Sequence, residues 1–109
     1  MTIRVVLVDD HAMLRNSLAQ LLNASPDIDV VGTFADGESA VAGIGEYPAD
    51  VVLMDIAMPG IGGIEATRQL LAANPEARVL MLTSFAERDL VVQALSAGAM
   101  GYLLKEAEP

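Results

Sequence analysis

The chain contains no cysteine, which excludes disulfide staples and thiolate metal sites while leaving the compartment open. It also lacks an apolar run long enough to cross a bilayer. Its opening, Met1-Thr2-Ile3-Arg4, enters a strand-like run directly and lacks the layout of a secretory leader, so no membrane association is expected and the cytoplasm is the default location. Positive charge is scarce: 6 Lys and Arg stand against 15 Asp and Glu, a formal net charge of -9. Non-specific attraction to nucleic acid is therefore not expected, and any DNA binding must come from another segment. Phosphate loops are missing too. Gly60-Ile61-Gly62-Gly63-Ile64-Glu65 lacks the last glycine of the dinucleotide fingerprint, no Lys-Ser/Thr follows as in a P-loop, and the stretch reads as a tight turn. The six methionines are scattered over core-like positions and read as gap fillers rather than a cofactor box. There is no internal repeat and no low-complexity linker.

What is present is a globular composition, 53% hydrophobic and 19% charged, in 109 residues, enough for one domain with a modest core. The organising stretch is Val51-Val52-Leu53-Met54-Asp55, which continues into Ile56-Ala57-Met58-Pro59-Gly60. A continuous apolar run without polar alternation suits a strand covered on both faces, as in a parallel sheet flanked by helices. Asp55 then stands at the strand's carboxyl end, the edge where open α/β sheets bind ligands. The pattern recurs in Ile3 to Val8, which runs into Asp9-Asp10; Arg78 to Leu82 ends in Thr83-Ser84, and Met100 to Leu104 ends in Lys105. Ile28 to Phe34 reads as a further strand. Between the strands lie helical stretches: 12 to 24 with Leu14, Leu18, Leu21 and Leu22 on one face, a short one on Ala40, Val41 and Ile44, one on Ile64, Thr67, Leu70 and Leu71, and one on Val91, Ala94 and Leu95 stopped by Gly98. Five strands alternating with four helices predict an α/β, doubly wound parallel sheet; periodicity alone leaves the strand order open.

If the first and third strands are adjacent, Asp9, Asp10 and Asp55 converge. Three carboxylates together need a counter-charge, and an all-oxygen set with only His11 nearby points to a hard cation such as Mg2+. Each residue also has a plainer role available. Asp55 could cap the following turn, Asp10 could cap the first helix, Lys105 could be the first solvated residue after its strand, and Thr83 and Tyr102 could be packing residues. His11 could be a ligand or a proton carrier, but it reads as a solvated residue at a helix start and is left out of the site.

The ordered set Asp9-Asp10, Asp55 with Met58-Pro59-Gly60, Thr83, and Tyr102 with Lys105 resembles the receiver domain of two-component response regulators. Gly98-Ala99-Met100-Gly101-Tyr102-Leu103-Leu104-Lys105 is most similar to the NarL/FixJ branch. The resemblance implies the flavodoxin-like strand order 2-1-3-4-5, with the site between strands one and three. It implies Asp55 as phosphoacceptor for a phosphohistidine on a sensor histidine kinase. Mg2+ would be held directly by Asp10, Asp55 and the backbone carbonyl of Ala57, with Asp9 acting through water. Lys105 would pair with the phosphoryl oxygens, Thr83 would donate its hydroxyl, and Thr83 and Tyr102 would form the switch that remodels the helix four and strand five face. The chain is thus expected to be a phosphoacceptor signalling domain that catalyses its own phosphotransfer and dephosphorylation rather than a conventional enzyme. Residues 1–109 would form one receiver domain that dimerises on phosphorylation and reaches DNA only through a C-terminal helix-turn-helix domain, absent from this sequence. A piece of a longer protein is expected over a stand-alone receiver.

Two departures stand out. Glu106 rather than proline follows Lys105, so a trans bond is expected there. Only four residues remain for the fifth helix with which receivers close, so that helix is expected to be missing or truncated, exposing apolar surface on strand five and on the Leu14 helix and favouring self-association. Competing readings fit less well. A haloacid dehalogenase-type phosphatase uses Asp-x-Asp after the first strand, a flavodoxin-like nucleotide or flavin binder needs a phosphate loop there, and a pseudo-receiver would not need the acidic triad with Lys105.

Overall fold

Strand-forming runs and helical stretches alternate along the chain, and the computed structural model, which describes residues 2–105 apart from the side chains of 85 and 86, places them in one five-stranded sheet. The elements are β1 (Ile3–Val8), α1 (Ala12–Asn23), β2 (Ile28–Phe34), α2 (Gly37–Gly43), β3 (Val51–Asp55), α3 (Gly62–Ala73), β4 (Val79–Thr83), α4 (Val91–Ser96) and β5 (Gly101–Leu104). A short 3-10 turn, Ile44–Glu46, extends α2, and a 3-10 segment, Phe85–Leu90, leads into α4. All four strand pairings are parallel and the order is β2-β1-β3-β4-β5, the order the resemblance implied. No helix among the described residues is long and apolar enough to cross a membrane.

Strand alternation splits the core in two. Val6, Val8, Val52, Met54, Val79 and Met81 face Ala40 of α2, Ala66 and Leu70 of α3, and Ala94 of α4. On the opposite face Val5, Leu7, Leu53 and Leu82 meet Leu18, Ala19 and Leu22 of α1. Burying a side chain such as Leu7, Met54 or Leu70 contributes about 1.5–3 kcal/mol relative to leaving it exposed. The α1 stripe is narrower than the four leucines suggest. Leu21 lies at its outer edge and is 69% exposed, because Leu18, Ala19 and Leu22 are the residues turned to the sheet. Leu103, registered beside Leu82 and so on the same face, is 49% exposed. The fifth helix and the Lys105–Glu106 bond lie outside the described residues.

The glycine stretch after β3 is more than a turn. Gly60 and Gly62 hold φ values of +80° and +78°, a region side chains disfavour, and α3 begins at Gly62 rather than at Ile64. Gly63 donates its N–H to the Ile56 carbonyl at 3.2 Å, and a Cβ placed on it would collide with the Asp55 carbonyl oxygen. That contact is with backbone, so no side chain can yield. Gly63→Ala is expected to lower stability by about 1–3 kcal/mol through overpacking. Thermal or urea unfolding of the two proteins checks this, and an unchanged midpoint would show that the first turn of α3 withdraws freely from β3.

Candidate functional site

Register brings the acidic residues together. β1 and β3 pair through Val8 and Met54, so the next residues, Asp9 and Asp55, leave the sheet side by side at its carboxyl edge. β4 and β5 pair through Thr83 and Leu104, and Lys105 donates its backbone N–H to the Thr83 carbonyl at 2.7 Å. From there its side chain crosses β4, bringing Nζ to 3.0 Å from Asp55 Oδ1 and 3.7 Å from Asp9 Oδ2. Both carboxylates are buried, while Lys105 is 20% exposed.

The two oxygens of Asp55 are treated differently. Oδ1 accepts from Lys105 and, at 3.3 Å, from the N–H of Ala57, whereas Oδ2 is buried with no hydrogen-bond partner among the described residues. Asp9 shows the same asymmetry: Oδ1 accepts from the N–H of His11 at 2.9 Å, and buried Oδ2 has no hydrogen-bond partner. Burial pushes the Asp55 carboxyl up to about 6, the neighbouring Asp9 charge adds to that rise, and the Lys105 ammonium and the Ala57 N–H oppose it. Burial pulls the Lys105 ammonium down, but its hydrogen bond to Asp55 and the charges of Asp55, Asp9 and Glu87 outweigh this and hold it above its ordinary value.

The remaining expected residues surround this pair. Asp10 and the side chain of Ala57 are both exposed. Side chains alternate at the strand end, so the first acid of the pair turns inward to Asp55 and the second faces solvent. Thr83 is buried, and its hydroxyl donates to the Ser84 carbonyl at 3.3 Å instead of reaching Asp55. Tyr102 is 48% exposed and lies on the α4 face, registered beside Met81. A surface hollow of about 430 Å3 between Asp36, Glu38 and Ser39 of the α2 start and Pro59 and Gly60 is separate; Asp9, Asp10 and Asp55 do not line it.

Two contributions were not read from the sequence, those of Arg15 and Gly63, while His11 is exposed, as expected. Arg15, one helical turn beyond His11, donates from Nη1 to the Asp9 carbonyl at 2.7 Å and so braces the turn that carries both acids. Its only signal was a basic residue in the first turn of a helix that starts at an acidic pair. Gly63 presses on Asp55 from α3. His11 offers a ligand atom that lies, with one each from Asp9 and Asp10, in a group within 4.8 Å.

This donor set fits a divalent cation. Asp9 and Asp10 bring carboxylate oxygens, hard ligands, within 4.8 Å of one another, and buried Asp55 adds a third carboxylate at the same sheet edge.

Residues 5–109 match the response regulator receiver domain family. The transcriptional regulatory protein LiaR of Bacillus subtilis is 45% identical over 106 residues, covering 97% of this chain and 50% of LiaR. The response regulator protein VraR of Staphylococcus aureus is 46% identical over 105 residues, covering 96% and 50%. The chain therefore spans about half the length of these curated relatives. Among solved structures, a two-component response regulator of the LuxR family from Aurantimonas superposes with a TM-score of 0.93 at 38% identity, over 100% of this chain and 78% of that one.

Proposed function

The chain belongs to the response regulator receiver domain family, the phosphorylation-activated switches of two-component systems, and on that footing we propose that Asp55 accepts a phosphoryl group from a phosphohistidine on a sensor histidine kinase. The observation that carries this reading is the division of labour on the Asp55 carboxylate. Oδ1 is held by Lys105 and the Ala57 N–H, while buried Oδ2 has no hydrogen bond to break before it attacks. A bond forms from Oδ2 to phosphorus as the phosphorus–nitrogen bond breaks, and its electron pair leaves with the imidazole of the donor. Lys105, already at the carboxylate, pairs with the phosphoryl oxygens as charge develops there. Asp10, Asp55 and the Ala57 carbonyl would hold Mg2+, with Asp9 acting through water. Bound there, Mg2+ supplies the positive charge that offsets repulsion between the carboxylate and the incoming dianion.

The output is conformational. Thr83 exchanges its hydrogen bond to the Ser84 carbonyl for one to the phosphoryl group, and exposed Tyr102 turns inward, changing the α4 and β5 face. That face governs dimerisation and an attached DNA-binding domain in the full protein, for which residues 1–109 are the receiver. The chain's own acidity supports leaving DNA contact to that second domain.

Incubation with a small acyl phosphate and Mg2+, followed by intact mass, tests the reading: one labile phosphoryl group is expected on the parent. Turnover of the donor without an adduct would favour a phosphatase instead. Asp10→Ala is expected to weaken Mg2+ binding by at least about tenfold, since even an outer-shell partner is worth about 10- to 100-fold. Calorimetric titration checks this, and an unchanged affinity would remove Asp10 from the ligand set.

The chain also removes its own phosphoryl group, and slowly. Neither Ala57, at the mouth, nor Phe85, whose side chain lies outside those described, carries a group able to align an attacking water. The phosphorylated form of Ala57→Asn is expected to decay several-fold faster than the parent. Slower decay in the variant would show that an amide there shields the acyl phosphate.

A further inference from the structure

Arg15 is half-buried, and among the described residues its guanidinium forms no ion pair with either acid at the end of β1. It reaches for backbone instead: Nη1 donates to the Asp9 carbonyl at 2.7 Å. It can do so because α1 starts at the turn to which the side chain returns, the Arg15 N–H donating to the His11 carbonyl at 2.8 Å. Asp9 is held at other polar atoms as well. Its N–H donates to the Phe34 carbonyl of β2 at 3.1 Å, and its Oδ1 accepts from the His11 N–H at 2.9 Å. Asp10 has no such anchors. Its side chain is exposed, and among the described residues its carboxylate makes no hydrogen bond or ion pair.

A peptide unit is planar, so the direction of the Asp9 carbonyl also fixes the plane that ends at the Asp10 Cα. The Asp10 side chain leaves from that atom, which puts its starting point under the control of the Arg15 contact. We propose that Arg15 is a positioning residue for phosphoryl acceptance, holding the Asp9–Asp10 peptide so that Asp9 stays turned to Asp55 and Lys105 while Asp10 is presented to Mg2+. This inference rests on the Mg2+ reading of Asp10 given above. Electrostatics alone gives Arg15 the opposite effect. A guanidinium beside a cation site repels the cation, so its removal tightens Mg2+ binding unless the held peptide is what the cation requires. A brace that served only the stability of α1 would change unfolding and leave the affinity of the folded protein unaltered.

Arg15→Met keeps an apolar stem and a good helix former while removing both the donor and the charge. Mg2+ affinity is read by calorimetric titration, and phosphorylation by a small acyl phosphate is followed across Mg2+ concentrations, with the substitution made on the parent and on Asp10→Ala. On the parent, Arg15→Met is expected to weaken Mg2+ binding by about threefold or more, a smaller loss than that of a residue touching a ligand side chain, and to slow phosphorylation most where Mg2+ is scarce. On Asp10→Ala the same substitution is expected to cause a smaller loss or a gain, because the acid that Arg15 presents is gone and only its repulsion remains. Tighter binding or a loss below about threefold on the parent, or a loss on Asp10→Ala as large as that on the parent, overturns this inference alone. Arg15→Gln, shorter and uncharged, replaces Arg15→Met with the same outcomes if the latter does not fold. Absence of Mg2+ binding in the parent overturns the underlying reading of the site.

Discussion

Asp55→Asn is expected to abolish phosphoryl acceptance while making the metal-free protein more stable at neutral pH. The amide is nearly isosteric with a protonated carboxyl but carries no nucleophilic oxygen, so incubation with a phosphodonor leaves its mass unchanged. The stability gain follows from the raised value of the Asp55 carboxyl, about 6 against an ordinary 3.8. A carboxyl held above its unfolded value favours the folded state when protonated. Its penalty is absent below about pH 4, grows as pH rises between the two values and is complete above about 6. Each unit of difference corresponds to about 1.4 kcal/mol, and relaxation around the site reduces the total to on the order of 2 kcal/mol. Urea unfolding of parent and variant at pH 7.5 and at pH 4 reads this directly. The gain is expected at the higher pH and lost at the lower, and a destabilised variant at pH 7.5 would mean that Asp55 holds the fold together rather than straining it.

Lys105→Met produces the opposite result. Methionine keeps much of the apolar stem but removes the charge that sits 3.0 Å from Asp55 and 3.7 Å from Asp9. Two buried carboxylates then share a site without compensation, and breaking a buried charge pair on one side costs about 3 kcal/mol or more. The loss has a sign with respect to pH. The Lys105 ammonium is raised above its ordinary 10.5, so its contribution is fully present through the neutral range and fades only at more alkaline pH. In the variant the uncompensated acids bind protons more readily folded than unfolded, so the deficit shrinks as pH falls towards 5. Adding Asp55→Asn to Lys105→Met is expected to recover much of the loss, because neighbours that share one interaction are not additive. Unfolding of the single and double variants closes the cycle. Additive losses would show that Lys105 acts through its own packing and not through Asp55.

These opposed effects arise from features that the sequence displays unequally. The strand ends are legible because each apolar run stops at a charged or hydroxyl residue: Val8 before Asp9, Met54 before Asp55, Leu82 before Thr83 and Leu104 before Lys105. Strand order is not written in that periodicity, since buried runs such as β3 and β4 do not name their neighbours; it came from the family resemblance and agrees with the observed pairing. Nor can spacing tell which member of an acidic pair turns inward. Asp9 is the buried partner of Asp55 and Lys105, while Asp10 faces solvent, and that depends on where β1 stops relative to β3. The first turn of α3 pressing on the Asp55 carbonyl is a contact between backbones that a glycine permits but does not announce. Arg15 was silent, because a basic residue in the first turn of a helix is ordinary until the sheet edge beside it is in place.

The central claim is that Asp55 alone receives the phosphoryl group. Borohydride reduces an acyl phosphate to an alcohol, so treating the chain after incubation with phosphodonor and Mg2+ converts the phosphorylated aspartate to homoserine, which peptide mass spectrometry locates. The account predicts homoserine at position 55 and at no other acidic residue; homoserine at Asp9 or Asp10, with position 55 unreduced, would contradict it.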